Sequence, residues 1–448
     1  MYYFEKKVAL LLALFAVPLL FLPKINLISF QSESAGLRID DLILLGVGTL
    51  LFWAHFQYHQ KLYQIEGWIF AITALGILSF ILNLMLVDAG QLLNQAKIFY
   101  AIRLLEYFIF FYVGALTAHL SPGKRIIQAF LVWNLLLMCL QKMNLVGAIT
   151  VEGYASNVSE RVQGVASFPS EMGLILNLLF CYLLFDNSLP SKMSRLFSTE
   201  MRYFFHALYP YLMFGLFGVF VILTGNRISI LALLVCFVFK IRRDFRWRSL
   251  SSFLILAALV PCAIGFFYLI ATSGGVSGRS TELLSWENFK LIDIVWDKID
   301  ITGEIGEGVI DAESYDMSWW IRIHKWMYVT KLFVYHPECY LQGLGPGFCG
   351  AALDGGLLRL LVEYGVIGLW FFWKFFSSLG RINLQLKWMT IAFLLNMIFF
   401  DAYLAYKVMS LYLFIAGKAF ETNKLQAWNR TREEHLQDRF NPVYKNLS

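Results

Sequence analysis

The stretch "FVILTGNRISILALLVCFVF", residues 220–239, sets an arginine between two apolar runs and decides how the whole chain is interpreted. A guanidinium keeps its charge at any accessible pH, and burying that charge alone among apolar groups is costly. The polar turn TGN before Arg227 predicts two apolar helices that meet at one surface, with Arg227 beginning the second. Arg227 is then expected to face a water-filled cavity, which makes it a functional candidate.

The composition extends this interpretation to the whole chain. Of its 448 residues, 58% are hydrophobic and 15% are charged, whereas about a quarter of the residues in a soluble domain are charged. The sequence predicts an all-α polytopic membrane protein, with an integral domain over residues 1–420 and a loose polar tail over 421–448. About twelve apolar blocks are long enough to cross a bilayer as helices, near residues 8–23, 41–56, 67–87, 99–118, 126–146, 171–186, 203–223, 227–240, 250–272, 356–378, 388–400 and 404–420.

The loops between these spans alternate between basic and nearly neutral. Basic residues crowd one set of loops, as at residues 124–125, at residues 240–248 and in the tail. The short loops of the other set hold few, among them Arg38 and Arg161. Because lysine and arginine resist translocation, we expect the basic loops and both termini to lie in the cytoplasm.

One long loop, residues 273–355, is expected on the outer face. It holds twelve acidic and six basic residues, begins with the Gly/Ser stretch "SGGVSGRS" and ends in a Gly-rich stretch. Between these, "STELLSWENFKLIDIVWDKI" and "SWWIRIHKWMYVTKLFVYH" space their aromatic and aliphatic residues as amphipathic helices do. Cys339 and Cys349 lie in this loop and are able to pair in an oxidising compartment.

Several arginines reach the outer face under this topology. Fixed guanidiniums that share one cavity suit a phosphate or diphosphate, which they bind through paired donors. Arg161, Arg227 and Arg322 are the main diphosphate-binding candidates, and Arg38 is a weaker fourth. Arg103 is instead expected to pair with Glu106, three residues further along the same helix.

Carboxylates and histidines on the same face supply candidates for a general base. Asp354 in "ALDGG" is preferred, with His336 and Glu171 behind it, and Asp401 is a further acidic candidate. The adjacent residues Asp40 and Asp41 suit either a helix start or a divalent cation. The sequence shows no phosphate-binding Walker loop, no G-x-S-x-G and no H-E-x-x-H, so nucleotide hydrolysis and serine hydrolase chemistry have no support.

These segments, taken in order, resemble the O-antigen ligase and polymerase superfamily, and most of all its repeat-unit polymerases. The resemblance rests on "GLRIDD" (36–41), "ERVQGVASFPSEMGL" (160–174), "LTGNRISILAL" (223–233), "IRIHKWMYVTKLFVYHPECYLQGLGPG" (321–347) and "LDGGLLRLLVEYGVIGL" (353–369). Ligases of the superfamily usually carry a histidine near the position of Asp354, whereas polymerases often carry an acidic residue there.

The resemblance implies a fold of the GT-C type and a glycosyl transfer without a metal or other cofactor, at the outer, periplasmic face of a bacterial inner membrane. The donor would be a growing glycan on undecaprenyl diphosphate, and the acceptor the terminal sugar of another lipid-linked repeat unit. Arg161, Arg227, Arg322 and Arg38 would hold the diphosphate, and Asp354, His336 or Glu171 would take the hydroxyl proton. Trp319, Trp320 and Trp326 would stack on sugars or lie at the membrane interface.

Membrane lipid and a chain-length co-polymerase are the other partners that the resemblance implies, and nucleic acid is not among them. Two alternatives stay open. One is a ligase that transfers the glycan to the lipid A core, and the other is a polysaccharide flippase or transporter. Transporters often show duplicated halves, and no internal repeat is visible in this sequence.

Overall fold

A computed structural model describes residues 11, 15–22, 26–29, 36–59, 64–86, 99–118, 123–149, 158–186, 199–244, 295–301, 317–337, 339–350 and 352–440. Within these ranges the chain is helical apart from its loops and one antiparallel hairpin, in which β1 (Asn26–Ser29) pairs with β2 (Gly36–Arg38). The helices are α1 (Pro18–Phe21), α2 (Ile39–His59), α3 (Gln64–Leu86), α4 (Phe99–Thr117), α5 (Gly123–Lys142), α6 (Pro169–Leu184), α7 (Thr199–Thr224), α8 (Arg227–Asp244), α9 (Met317–Tyr335), α10 (Cys339–Gln342), α11 (Gly356–Gly380), α12 (Leu384–Asn396) and α13 (Tyr406–Phe440), with a 3₁₀ turn at Ala402–Leu404.

The apolar runs of the sequence become these helices, and local signals set several of their ends. α6 starts with Pro169, whose fixed backbone angle and missing N–H suit the first helical position. Asn383 caps α12 by accepting a hydrogen bond from the Leu386 N–H at 2.8 Å. Each predicted span that falls within the described residues overlaps a helix, whereas the predicted span 250–272 lies outside them.

Within the described ranges, three helices are long and apolar enough to cross a membrane, over Gln64–Asn83, Phe99–Thr117 and Gly356–Gly380. Shorter apolar helical stretches cover Asp41–Leu50, Pro169–Leu184 and Leu208–Thr224. These lengths are those of a helical membrane protein, which agrees with the class predicted from the composition.

Contacts between helices sort their ends into two groups. At one end, Lys124 at the start of α5 pairs with Asp186 just after α6, and Gln385 at the start of α12 donates to the Tyr182 carbonyl of α6. We call this the Asp186 end. At the other end, the start of α8 meets the last residue of α12, and the start of α11 meets Asp401. We call this the Asp354 end, because Asp354 directly precedes α11.

Among the described helices, α4 and α13 make the most extensive contact, and it depends on two glycines. A β-carbon added at Gly417 would overlap the Phe111 carbonyl, and one added at Gly114 would overlap the Phe414 carbonyl. Small residues let helix backbones approach this closely, and in a membrane such packing drives helix association. Gly114 and Gly417 therefore fix the α4–α13 contact.

Replacing Gly417 with leucine is expected to separate α4 from α13 and to destabilise the protein by about 3 kcal/mol or more, because the backbones have no room to adjust. The measurement is the thermal unfolding midpoint in detergent, followed by tryptophan fluorescence. Gly215→Ala in α7 is the matched control, since a β-carbon there meets nothing within 4 Å. If both variants unfold at the wild-type temperature, Gly417 does not set the helix contact.

The large loop forms a second hydrophobic core together with Val362 of α11. The second amphipathic stretch folds as predicted, into α9, and the described part of the first, residues 295–299, packs beside it. The core is formed by Val295, Ile299, Trp320, Ile323, Tyr328, Val329, Leu332, Phe333, Cys339, Leu344, Phe348, Cys349, Leu353 and Val362. Cys339 and Cys349 are free and buried in it, so they do not form the disulfide considered from the sequence.

The Gly-rich segment after α9 enters an interruption of α11. Gly365 inside α11 has φ 65° and ψ −171°, which breaks the helix. Leu344 and Gly345 donate their N–H groups to the Val362 and Glu363 carbonyls at 2.7 Å and 3.0 Å. Ser79 and Asn83 of α3 donate to the carbonyls of Gln342 and Gly343 on the other side. The segment thus lies among the helices, where protein groups satisfy its irregular backbone.

The end of the chain differs from the prediction. The tail was predicted to be loose from residue 421, but α13 continues as one helix to Phe440. Adding a residue to an existing helix needs no new nucleus, and this stretch is rich in lysine, glutamate, glutamine and arginine, which are good helix formers.

Candidate functional site

Two residues predicted for different roles bind each other at the Asp354 end. Arg322 of α9 donates from Nε to Oδ2 of Asp354 at 3.0 Å. Their side chains are 30% and 41% exposed, so solvent or a ligand reaches both. The structure therefore places a candidate diphosphate-binding cation directly beside the preferred candidate base.

Asp354 has an unusual backbone conformation. Its φ of 57° lies in the left-handed region, which residues other than glycine rarely occupy, although aspartate and asparagine do so more often than most. Such a conformation persists only where the surroundings impose it, and it is concentrated at functional sites.

Asp401 binds the backbone on both sides of Asp354. Its Oδ2 accepts from the Leu353 N–H at 2.8 Å, and its Oδ1 accepts from the Gly355 N–H at 3.1 Å. One carboxylate thus binds the amides on both sides of Asp354. The loop 352–355 is held in a shape that leaves the Asp354 side chain facing Arg322.

α9 holds the same loop through two further side chains. Lys325 donates from Nζ to the Ala352 carbonyl at 2.6 Å, and Trp326 donates from Nε1 to the Leu353 carbonyl at 3.1 Å. Trp326 was considered a sugar-stacking residue, and here its indole N–H supports the loop. Trp320, another stacking candidate, is buried in the core of the large loop, and the Trp319 side chain is outside the described residues.

A fully buried ion cluster supports Asp401. Arg359 donates from Nη1 to Asp401 Oδ2 at 2.8 Å, from Nε to Glu363 Oε1 at 2.9 Å and from Nη2 to the Gly350 carbonyl at 2.6 Å. Tyr403 donates its hydroxyl to Glu363 Oε2 at 2.8 Å. Arg359 and Glu363 are 0% exposed, and charges at such a depth are retained only when they are paired and hydrogen-bonded. The cluster ties α11 to the segment before α13 and to the loop of Asp354.

Sequence reasoning did not assign a role to Arg359 or Glu363. Their spacing of four residues on one helix was the available signal, because residues so spaced lie on the same helix face. The contact with Asp401 spans 42 residues and has no local signature.

The Arg161 side chain and Arg227 both lie at the turn between α7 and α8. Arg161 donates from Nε to the Thr224 carbonyl at 3.3 Å, and it packs on Gly225, whose φ is 65°. Arg227, half-buried, is the first residue of α8, as its position after TGN predicted. The structure thus brings two of the predicted diphosphate-binding residues to a single turn.

A polar network joins this turn to the segment that leads to Asp401. Asn226 donates to Ser229 Oγ at 2.7 Å, and Ser229 donates to Asn396 Oδ1 at 2.6 Å at the end of α12. The next residue, Met397, accepts from the Leu357 N–H at 3.1 Å in the first turn of α11. The residues from 396 to 401 therefore connect the Arg161–Arg227 turn with the Asp354 loop at the same end of the bundle.

The loop that presents Arg161 is fixed by polar side chains of α5. Gln141 accepts from the N–H groups of Gln163 and Gly164 at 3.1 Å and 2.8 Å, and it donates to the Gly164 carbonyl. Asn134 accepts from the Val165 N–H at 3.1 Å. The backbone that carries Arg161 is thus held rigidly by buried groups.

Glu171 is engaged in a different way from Asp354. Its Oε2 accepts from the Ser167 N–H at 2.8 Å, and its Oε1 accepts from the Lys407 N–H at 3.1 Å. The side chain is buried and satisfies an amide in the first turn of α13, where a carboxylate is favoured by the helix dipole. The geometry assigns Glu171 to holding α6 and α13 together, and of these two candidate bases Asp354 is the accessible one.

The other two predicted residues are not brought to the Asp354–Arg322 pair by any described contact. His336 lies in the turn after α9, where its N–H donates to the Leu332 carbonyl at 2.9 Å and its carbonyl accepts from Cys339. Arg38 is the last residue of β2, opposite Asn26, and its side chain is outside the described residues.

Among the described residues no group of three or more histidine, cysteine, aspartate or glutamate side chains is arranged to hold a metal ion. Asp40 and Asp41 lie in the first turn of α2, the helix-start position considered from the sequence.

Burial raises the pKa of the Cys349 thiol well above its ordinary value, and the negative charge of the Glu363 carboxylate raises this pKa further. This cysteine is therefore protonated and unreactive at neutral pH.

No protein-family model matches the chain, and no curated protein matches it. The functional conclusion therefore rests on the residues and their arrangement.

Proposed function

We propose that this protein is a membrane glycosyltransferase that polymerises lipid-linked oligosaccharide repeat units, as O-antigen polymerases do. The donor is a growing glycan on undecaprenyl diphosphate, and the acceptor is the terminal sugar of an incoming lipid-linked repeat unit. The observation that supports this most is the Arg322–Asp354 pair, exposed at the end of the bundle that also presents Arg161 and Arg227. It combines a candidate base with cations suited to a diphosphate.

The reaction assigns a step to each group. The acceptor hydroxyl attacks the anomeric carbon of the donor, its oxygen forms the new glycosidic bond, and its proton passes to the Asp354 carboxylate. The bond between the anomeric carbon and the diphosphate oxygen breaks, and the electron pair stays on that oxygen. Arginine guanidiniums already in place neutralise the charge that develops on the leaving diphosphate.

The ion pair gives the base a simple means of activation. While Arg322 binds Asp354, its guanidinium N–H occupies Oδ2 of the carboxylate at 3.0 Å. A donor diphosphate carries more negative charge than one carboxylate and competes for Arg322. Asp354 is then released beside the acceptor hydroxyl, and Oδ2 becomes available to accept its proton when substrate is bound.

The proposal includes a GT-C-like arrangement of about twelve spans, with both termini in the cytoplasm. The Asp186 end holds Lys124 and Lys240, and the last turn of α8 adds Arg242 and Arg243. This basic end suits the cytoplasmic surface, and the Asp354 end then faces the periplasm. A chain-length co-polymerase is the protein partner that the proposal includes.

Arg227→Lys is expected to lower the polymerisation rate by about 10²-fold or more while expression and folding stay normal. Lysine keeps the charge but loses the planar pair of donors that binds two diphosphate oxygens. The measurement is the rate at which purified protein extends lipid-linked repeats. Arg243→Lys, at the opposite end of α8, is the matched control. Wild-type extension by Arg227→Ala would exclude a diphosphate role for Arg227.

A transporter is the second candidate, and one observation favours it. α11 is interrupted at Gly365 by a segment of the large loop, and interrupted helices are common at the substrate sites of transporters. An assay in detergent distinguishes the two functions, because a protein in a micelle has no two compartments between which it could transport a substrate. Extension of repeats by the purified protein in detergent supports the polymerase. Transfer only to lipid A core indicates a ligase, and vectorial movement in vesicles without extension indicates a transporter.

A further inference from the structure

We propose that Asp401 is a positioning residue for the transfer reaction, and that it acts through Asp354 by binding the peptide groups on both sides of it. This inference rests on the proposed function for the role of Asp354 as base. Asp401 itself is buried, 7% exposed, behind the loop that it holds. It is therefore placed to orient the base and not to contact a substrate.

The geometry requires a carboxylate at position 401. Its two oxygens accept three hydrogen bonds, from the N–H groups of Leu353 and Gly355 and from Nη1 of Arg359. An asparagine would offer one acceptor oxygen and turn an amide N–H toward another donor, which leaves a buried donor unsatisfied. Asp401→Asn should therefore release one side of the loop with little change in side-chain volume.

Releasing one of the two backbone amides next to Asp354 alters the direction in which the Asp354 side chain points. The left-handed conformation of Asp354 is held by the bonds to Leu353 and Gly355, and without them its backbone relaxes toward the ordinary regions. The 3.0 Å contact with Arg322 is then lost, because it depends on that conformation. Asp401 thus determines whether the side chain at position 354 faces the cation of α9.

A thiol at position 354 tests this without any assumption about the reaction. In Asp354→Cys, Arg322 and the neighbouring Lys325 should stabilise the thiolate, so that the pH midpoint of iodoacetamide labelling falls below about 8.5. Adding Asp401→Asn should raise that midpoint by about one pH unit and slow labelling at pH 7 about tenfold. Peptide mass spectrometry separates this label from that on native cysteines such as the exposed Cys139.

Asp186→Asn is the matched control, because it breaks an ion pair at the opposite end of the bundle. It should leave the labelling midpoint at position 354 unchanged. If Asp401→Asn also leaves the pH midpoint of labelling unchanged, the proposal is overturned. If Asp401→Asn does not fold, Asp401→Glu keeps the charge opposite Arg359 but displaces both oxygens by one methylene, and it should raise the midpoint in the same direction.

A double-mutant cycle then tests the consequence for the reaction. Asp401→Asn should lower kcat for repeat extension with little change in KM, and it should cause no further loss when Asp354 is already asparagine. An equal loss in both backgrounds would show a role in general stability and contradict positioning. If the wild-type protein does not extend repeats, the proposed function fails, whereas the thiol experiment still decides whether Asp401 orients position 354.

Discussion

Replacing Asp354 with asparagine is expected to lower kcat for repeat extension by about 10²–10⁴-fold, the usual contribution of a positioned general base. Asparagine has the same shape and still accepts a hydrogen bond from Arg322, but it takes no proton from the acceptor hydroxyl. The bonds from Leu353 and Gly355 to Asp401 are made by the backbone, so the loop keeps its shape. The folded state and the binding of lipid-linked substrate should therefore be preserved.

The measurement combines single-turnover extension with substrate binding by the purified variant. Glu160→Gln is the matched control, since Glu160 is an exposed carboxylate at the same end of the bundle, in the loop that carries Arg161. It should extend repeats at the wild-type rate. If Asp354→Asn turns over within about twofold of wild type, Asp354 is not the base.

Replacing Arg359 with methionine is expected to destabilise the protein by about 3–5 kcal/mol, because removing one partner leaves buried charge without compensation. Glu363 and Asp401 would both lose their cation in a site where Arg359 and Glu363 are 0% exposed. The loss should also release the loop at Gly350, whose carbonyl accepts from Arg359. The unfolding midpoint in detergent measures the effect.

The salt bridge at the opposite end supplies the control for this variant. Lys124 pairs with Asp186 at 3.2 Å, but the Lys124 side chain is 50% exposed. Lys124→Met should therefore cost only about 0–1 kcal/mol, as exposed ion pairs do. Combining Arg359→Met with Glu363→Met should recover part of the stability, because it removes one of the uncompensated carboxylates. Equal midpoints for Arg359→Met, Lys124→Met and wild type would show that the buried cluster does not stabilise the fold.

The helices were predictable because their signals are local. Apolar runs of sufficient length define α4, α7 and α8, and the polar turn TGN places Arg227 at a helix start, where the structure has it. The interruption of α11 was not predictable, since "LVEYGVIGL" continues the apolar pattern. It arises from a distant segment, whose Leu344 and Gly345 amides bind carbonyls that a continuous helix would otherwise use.

The candidate site was predictable in part. Residue type and outer position selected Arg322 and Asp354, but their contact spans 32 residues and follows only from the folding of the large loop. Glu171 satisfied the same sequence criteria as Asp354, and only the structure shows that backbone amides occupy both of its oxygens. Accessibility and hydrogen-bond partners, which distinguish a base from a structural carboxylate, depend on tertiary contacts that a single sequence does not record.

The central claim is that arginines at the Asp354 end receive a departing lipid diphosphate. Its most direct test is an experimental structure of the protein with bound undecaprenyl diphosphate. The account predicts the diphosphate within hydrogen-bond reach of Arg161, Arg227 and Arg322, with Asp354 released from Arg322 beside it. A diphosphate bound among the lysines of the Asp186 end, or these arginines pointing away from one another and from the ligand, would contradict it.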